Sequence, residues 1–131
     1  MSTLYIVSTP IGNLEDITLR ALRVLGEVGL IAAEDTRVTR RLLARHDIDT
    51  PMTSYHEHNK HTKIPELLSK LLDMDIALVS DAGTPGVNDP GQELVSTAAS
   101  EGHQIIGIPG ASAVTTAIAV SGIAMEGFVY L

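Results

Sequence analysis

Residues 76–91 read IALVSDAGTPGVNDPG, an apolar run followed by a loop. Ile76–Ser80 is short and almost continuously apolar, as a parallel strand covered on both faces must be. Asp81–Gly91 then holds three glycines and two prolines. Glycine lets backbone N–H and C=O groups come close to a ligand, and proline fixes the loop's shape. A Gly/Pro loop of this length inside a compact domain is more often functional than merely connecting. The plainer alternative is a turn into a helix capped by Asp89, with Pro90 at its first position.

The same alternation extends outward in both directions. Further strands are expected at Leu4–Ser8, Gly29–Ala33, Met52–Tyr55 and Gln104–Ile108. Met52–Tyr55 is the most polar of them and belongs at an edge. Helices are expected at Ile17–Leu25, Val38–Arg45, Ile64–Leu72, Gln92–Ser100 and Ala111–Val120, the last rich in alanine and small enough to pack closely on a sheet. Strands alternating with helices imply right-handed βαβ units. The expected fold is α/β and three-layered, a mostly parallel five-stranded sheet with helices on both faces. Residues 1–122 are expected to form one cofactor-binding domain. The apolar end, Met125–Leu131, reads as a sixth strand or a linker, so 123–131 is expected to lead into a second domain and the chain to be a truncated one.

Composition narrows the function. The 131 residues include 16 acidic and 9 basic ones, a net charge of −7, and 44% are hydrophobic. Such hydrophobicity excludes a disordered chain. The absence of cysteine removes disulfides, thiol nucleophiles and thiolate metal sites. No membrane span or signal peptide is legible, so a soluble cytoplasmic protein is the default. The net charge argues against nucleic acid, but it is uneven. Arg37–Lys63 holds six basic against three acidic residues and four of the five histidines, leaving −10 elsewhere. Such a cluster is commonly a solvated face, and it also suits an RNA backbone.

In an open parallel sheet, ligands bind outside the carboxyl ends of the strands, and the unusual residues gather there. Thr9–Asn13 follows the first strand, but only Gly12 is present, so both the dinucleotide fingerprint and the P-loop fail. An ordinary turn capped by Asn13 or Asp16 is an equal alternative. Glu34 and Asp35 end the second strand, ahead of Thr36 and Arg37. One carboxylate is a candidate general base; the structural alternative has Asp35 or Thr36 capping the helix and Arg37 pairing with Glu34. His56-Glu57-His58 follows the third strand. His-x-His binds metal when it lies on a strand, yet there is neither an H-E-x-x-H nor a clear third ligand, so no metal is expected. Substrate contact is the functional reading of His56, and a solvated turn the plain one. Pro109–Ala113 follows the fifth strand.

Together, LYIVSTPIGNLEDITLRAL, IAAEDTR, SYHEHN, LVSDAGTPGVNDPG and IPGASAV resemble the bacterial ribosomal RNA small subunit methyltransferase I family, a branch of the tetrapyrrole (corrin/porphyrin) methylase superfamily. The stretches run in family order over essentially the whole chain. The resemblance implies an S-adenosylmethionine-dependent enzyme that methylates the ribose 2′-hydroxyl of a decoding-region cytidine in the 16S rRNA of the small ribosomal subunit. It implies two domains with the cofactor in the cleft between them, and a homodimer. It carries cofactor contacts to Pro10 and Gly12, to Asp81, Ala82, Gly83, Thr84 and Val87, and to Ser112 and Ala113. Thr84 stands where many superfamily members have aspartate, so an aspartate's role does not transfer to it.

Methyl transfer from a sulfonium needs positioning more than a metal. The weakly acidic ribose hydroxyl calls for a general base, and Glu34, Asp35 and His56 are the candidates, with Arg37 on an RNA phosphate. The sequence does not choose among them. Two other readings are a superfamily methylase acting on a tetrapyrrole and, for the half alone, a non-catalytic module. The half alone is expected to be inactive and to bind the cofactor weakly.

Overall fold

A computed structural model describes residues 2–131. Strands β1 (Thr3–Val7), β2 (Leu30–Ala33), β3 (Met52–Ser54), β4 (Ile76–Val79) and β5 (Gln104–Ile108) alternate with helices α1 (Leu19–Glu27), α2 (Thr36–Arg45), α3 (Lys60–Lys70), α4 (Gln92–Ser100) and α5 (Ala113–Ser121). The strands form one sheet in the order β3-β2-β4-β1-β5, and every strand pair is parallel. The expected α/β architecture is therefore the observed one, with β3 at an edge.

Strict side-chain alternation builds two cores. In β4, Ala77 and Val79 pack with Ala21, Val24 and Leu25 of α1 and Leu43 of α2 on one face. Ile76 and Leu78 pack with Leu67 of α3 and Leu94 and Ala98 of α4 on the other. All four β4 residues are buried, which is why this strand reads as a continuous apolar run.

The connections explain where a crevice opens. The chain leaves β1 through α1 on one face and leaves β4 through α4 on the opposite face, although β1 and β4 are neighbours. Helices departing to opposite faces leave a gap beyond the strand ends, the usual ligand position in open α/β sheets.

Several local expectations are corrected. Thr18 caps α1 by accepting from the Ala21 N–H, while Asn13 caps the short 3-10 turn Leu14–Asp16. Helix α3 starts at Lys60, four residues before the expected Ile64, and contains Pro65. Helix α4 is preceded by Gly91 rather than capped by Asp89, so Pro90 lies before the helix and not in its first turn. Helix α5 buries no residue, contrary to its expected close packing: it follows the edge strand β5, and no sixth strand extends the sheet beneath it. Residues 122–131 form no strand.

Candidate active site at the carboxyl ends of the strands

The loops after β1 and β4 are stitched together across the gap. The Thr9 N–H donates to the Gly83 carbonyl at 3.0 Å, and the Gly83 N–H returns to the Thr9 carbonyl at 3.1 Å. Gly83 adopts φ +80°, where a side chain is disfavoured. The Thr9 hydroxyl also donates to the Ser80 carbonyl at 3.3 Å, and the hydroxyls of Ser8 and Thr84 lie 2.6 Å apart. Thr84 thus serves as a neutral hydrogen-bonding tie to β1, where an aspartate would bring a charge.

The loop after β5 completes this side. The Ser8 N–H donates to the Ile108 carbonyl at 3.2 Å. Ile6, Ser8, Thr84, Gly107, Pro109 and Gly110 line a cavity of about 360 Å³. A Cβ on Gly110 would stand 2.9 Å from Ser8 Cβ and 3.3 Å from its carbonyl oxygen. Glycine is what allows this close approach. Ser112 caps α5, its hydroxyl accepting from the Thr115 N–H, and Ala113 opens that helix. Pro10 is buried and shares a small cleft with Asp81, whereas Gly12 and Val87 are exposed. Asn88, in the left-handed region at φ 59°, donates to the Tyr130 hydroxyl, which brings the chain's end to this loop.

Carboxylates occupy the other side of the gap. The Asp35 N–H donates to Asp81 Oδ1 at 3.0 Å, and the Asp81 N–H donates to Glu34 Oε1 at 3.1 Å. These two bonds lock the end of β2 to the end of β4. Asp81 Oδ2 and Glu34 Oε2 are not used in them. Desolvation, helped by the nearby Glu34 charge, raises the Asp81 pKa above the ordinary aspartate value.

The sequence places Asp35, Arg37 and Glu34 together, and the structure redistributes their roles. Asp35 caps α2 through the Arg37 N–H at 2.9 Å. Its carboxylate also holds the Arg37 guanidinium at 3.2 and 3.0 Å, so Arg37 pairs with Asp35 and not with Glu34. That contact holds the Asp35 carboxyl below its ordinary value and makes it a weaker base. Asp35→Ala is expected to lower the thermal midpoint at neutral pH, with the deficit closing in acid. A lowered carboxyl pKa stabilises the fold above the ordinary value of 3.8, and this is lost as pH falls through the lowered value. Melts across that range check it, and a deficit that persists unchanged would overturn the assignment.

His56 lies past the end of β3 in a turn built by Asn59. The Asn59 side-chain oxygen accepts from the His56 N–H at 2.8 Å, and its amide donates to the Ser54 carbonyl and hydroxyl at 3.3 and 3.0 Å. His56 Nδ1 accepts from the His58 N–H at 3.2 Å. A neutral His56 therefore carries its proton on Nε2, which makes that nitrogen a donor. The pair sits in a turn, so His56 and His58 do not share a strand face. Among the described residues, no group of three or more histidines or carboxylates is placed to hold a metal.

Two features escaped sequence reasoning. Asn59 organises the histidine turn, and Lys60 bridges Glu57 at 3.0 Å and Glu93 at 3.3 Å, tying the start of α3 to the start of α4. The first is foreshadowed by an Asn three residues after His56, the spacing at which its side chain reaches back to that residue's N–H; the second needs the tertiary fold.

Fold and site together define a class: an open, parallel α/β domain whose crevice sits at a topological switch point, with glycine and hydroxyl loops on one side and carboxylates on the other. Within that class the chain belongs to the tetrapyrrole (corrin/porphyrin) methylases, whose family model matches residues 3–129. It is 55% identical over 98% of its length to the ribosomal RNA small subunit methyltransferase I of Halalkalibacterium halodurans, covering 45% of that protein. It is 54% identical over 99% of its length to the protein of the same name from Synechocystis, covering 47% of it. The chain thus spans less than half the length of these curated relatives. Its fold matches the uroporphyrin-III-C-methyltransferase of Thermus thermophilus with a TM-score of 0.70 at 20% identity, covering 97% of this chain and 55% of that one. No helix among the described residues is long and apolar enough to cross a membrane.

Proposed function

We propose that this chain is the cofactor-binding half of an S-adenosylmethionine-dependent methyltransferase acting on the ribose 2′-hydroxyl of a cytidine in 16S rRNA. The observation that carries the reading is the crevice between β1, β4 and β5. It is stitched by the Thr9–Gly83 bridge and adjoins a row of carboxylates. Similarity at 54–55% identity to proteins named ribosomal RNA small subunit methyltransferase I supports the choice of RNA over a tetrapyrrole. In this reading residues 1–122 form the cofactor domain and 123–131 lead into a second domain. The full-length protein works as a cytoplasmic homodimer on the small ribosomal subunit.

The residues present fit the cofactor. Gly83 and Gly110 leave backbone and open space where side chains would intrude, and the first amides of α5 suit a carboxylate. Pro10, Gly12, Asp81, Ala82, Gly83, Thr84, Val87, Ser112 and Ala113 are the contacts. When bound, S-adenosylmethionine supplies a methyl group on a sulfonium. The chain would hold the acceptor in line and take the hydroxyl proton as the new oxygen–carbon bond forms and the sulfur–carbon bond breaks, the sulfur leaving as a neutral thioether.

Of the carboxylates, the Glu34–Asp81 pair is the proton acceptor. Desolvation and the nearby Glu34 charge raise the Asp81 pKa above the ordinary aspartate value, while Asp35 is neutralised by Arg37. His56, with its proton on Nε2, donates to a substrate oxygen, and Arg37 faces phosphate from the α2 terminus. The decisive experiment offers the full-length protein labelled methyl donor with unmodified 30S particles and, separately, with a precorrin. Label is expected in the RNA as a 2′-O-methyl group. Label in the tetrapyrrole alone would establish the competing reading.

A further inference from the structure

The basic stretch does not stay basic once folded. Lys60 is neutralised by Glu57 and Glu93, and Lys63 pairs with Glu66 at 3.3 Å. Helix α2 is different: it carries Arg37, Arg40, Arg41 and Arg45 and no acidic residue. Among the described residues, Asp35 is the sole carboxylate paired with any of them, and it holds Arg37. Arg40, Arg41 and Arg45 are exposed and have no ion-pair partner among those residues. Asp47 and Asp49, just past the helix, make no pair with them either.

The three free guanidiniums share one face. At about 100° per residue they lie within an arc of roughly 140°, opposite buried Thr39, Leu42 and Leu43. From Arg37 to Arg45 the stripe runs about 12 Å at 1.5 Å per residue. Its upper end is the cap at Asp35, beside Glu34 and Asp81. An unpaired cationic stripe on a chain of net charge −7 is an anomaly that calls for an anionic partner of extended shape.

We propose that Arg40, Arg41 and Arg45 form a phosphate track along α2 that guides an RNA backbone to the carboxylate end of the crevice. The inference rests on an RNA substrate and adds where that substrate lies. Arginine suits the task because its planar fork binds phosphate oxygens in pairs and is always charged. The contacts are to backbone, so they position the RNA without reading its bases.

The test is the salt dependence of binding to a labelled single-stranded RNA in the full-length protein. Three lost phosphate contacts at about 0.7 each are expected to lower the slope of log K against log salt by about 2 in R40A/R41A/R45A. The lysine triple variant keeps the charges and should keep most of the slope. Single R41A and R45A variants, each lowering it by about 0.7, serve if the triple variant is unstable. Cofactor affinity is expected to stay unchanged. An unaltered slope with RNA overturns the track. So does a loss seen with anionic lipid vesicles and not with RNA. If the unsubstituted protein methylates no RNA at all, the proposed function fails first, and the two failures stay distinguishable.

Discussion

Asp81→Asn is expected to fold as well as the parent and to lose methyl transfer, with kcat on 30S particles falling about 10²–10⁴-fold. The folding half of the expectation follows from the hydrogen bonds. Asn keeps an oxygen that accepts the Asp35 N–H, and its own N–H still donates to Glu34. The sign of the pKa shift points the same way. A carboxyl raised in the folded state costs the fold stability as pH climbs past its ordinary value, because deprotonation is harder in the folded chain. Asn removes that cost, so stability at neutral pH should be equal or slightly higher.

The catalytic half follows from what is lost, since asparagine accepts hydrogen bonds but takes no proton at working pH. Because Asp81 is also a proposed cofactor contact, donor affinity is measured alongside, and the fall in kcat at saturating donor is expected to exceed any loss of affinity, which separates a chemical defect from a binding one. The pH profile supplies an independent readout. The parent's rate should rise as Asp81, whose pKa is raised above the ordinary aspartate value, deprotonates. Near-normal turnover in Asp81→Asn would remove the pair from the mechanism. An equal loss in His56→Ala with no loss here would transfer the role to the histidine turn.

How far the sequence reached this site depends on the range of each interaction. The β4 run and the loop after it were legible because burial on both faces and Gly/Pro content are local properties. The Asp35 cap was legible for the same reason: an Asp before a helical stripe is a short-range signal. The partners of Arg37 and Glu34 were not. Arg37 reaches Asp35 because the cap turns the helix's first residues back over it, and Glu34 faces Asp81 because β2 and β4 are sheet neighbours despite a separation of 47 residues. The expected start of α3 failed at Pro65, which sits inside the helix, where proline's usual first-turn preference would have placed the boundary. The basic stretch misled in a related way. Its lysines pair with Glu57 and Glu66 close by and with Glu93 of α4, and Arg37 pairs with Asp35, so of its cations only Arg40, Arg41 and Arg45 have no ion-pair partner among the described residues.

Gly110→Val is expected to weaken methyl-donor binding about 100-fold, because the defect sits where two strand ends touch. The added Cβ would approach Ser8 Cβ to 2.9 Å, below any ordinary contact, and Ser8 cannot retreat freely. Its N–H is held by Ile108 at 3.2 Å, and its hydroxyl lies 2.6 Å from that of Thr84. The loop after β5 must therefore move away from β1, opening one wall of the cavity that Ser8, Thr84 and Gly110 share. Overpacking of this kind costs about 1–3 kcal/mol, which a domain of ordinary stability survives. Binding suffers more, because contacts set by a 1 Å displacement are lost together; an affinity drop of about 100-fold corresponds to roughly 2.7 kcal/mol. Calorimetry on the full-length protein below its melting temperature measures the drop directly. Gly26→Ala is the matched control: the site is in α1, away from the crevice, and a Cβ there meets nothing within 4 Å. It should bind the donor as the parent does. Unimpaired binding by Gly110→Val would mean that the loop after β5 does not form a wall of the cofactor site.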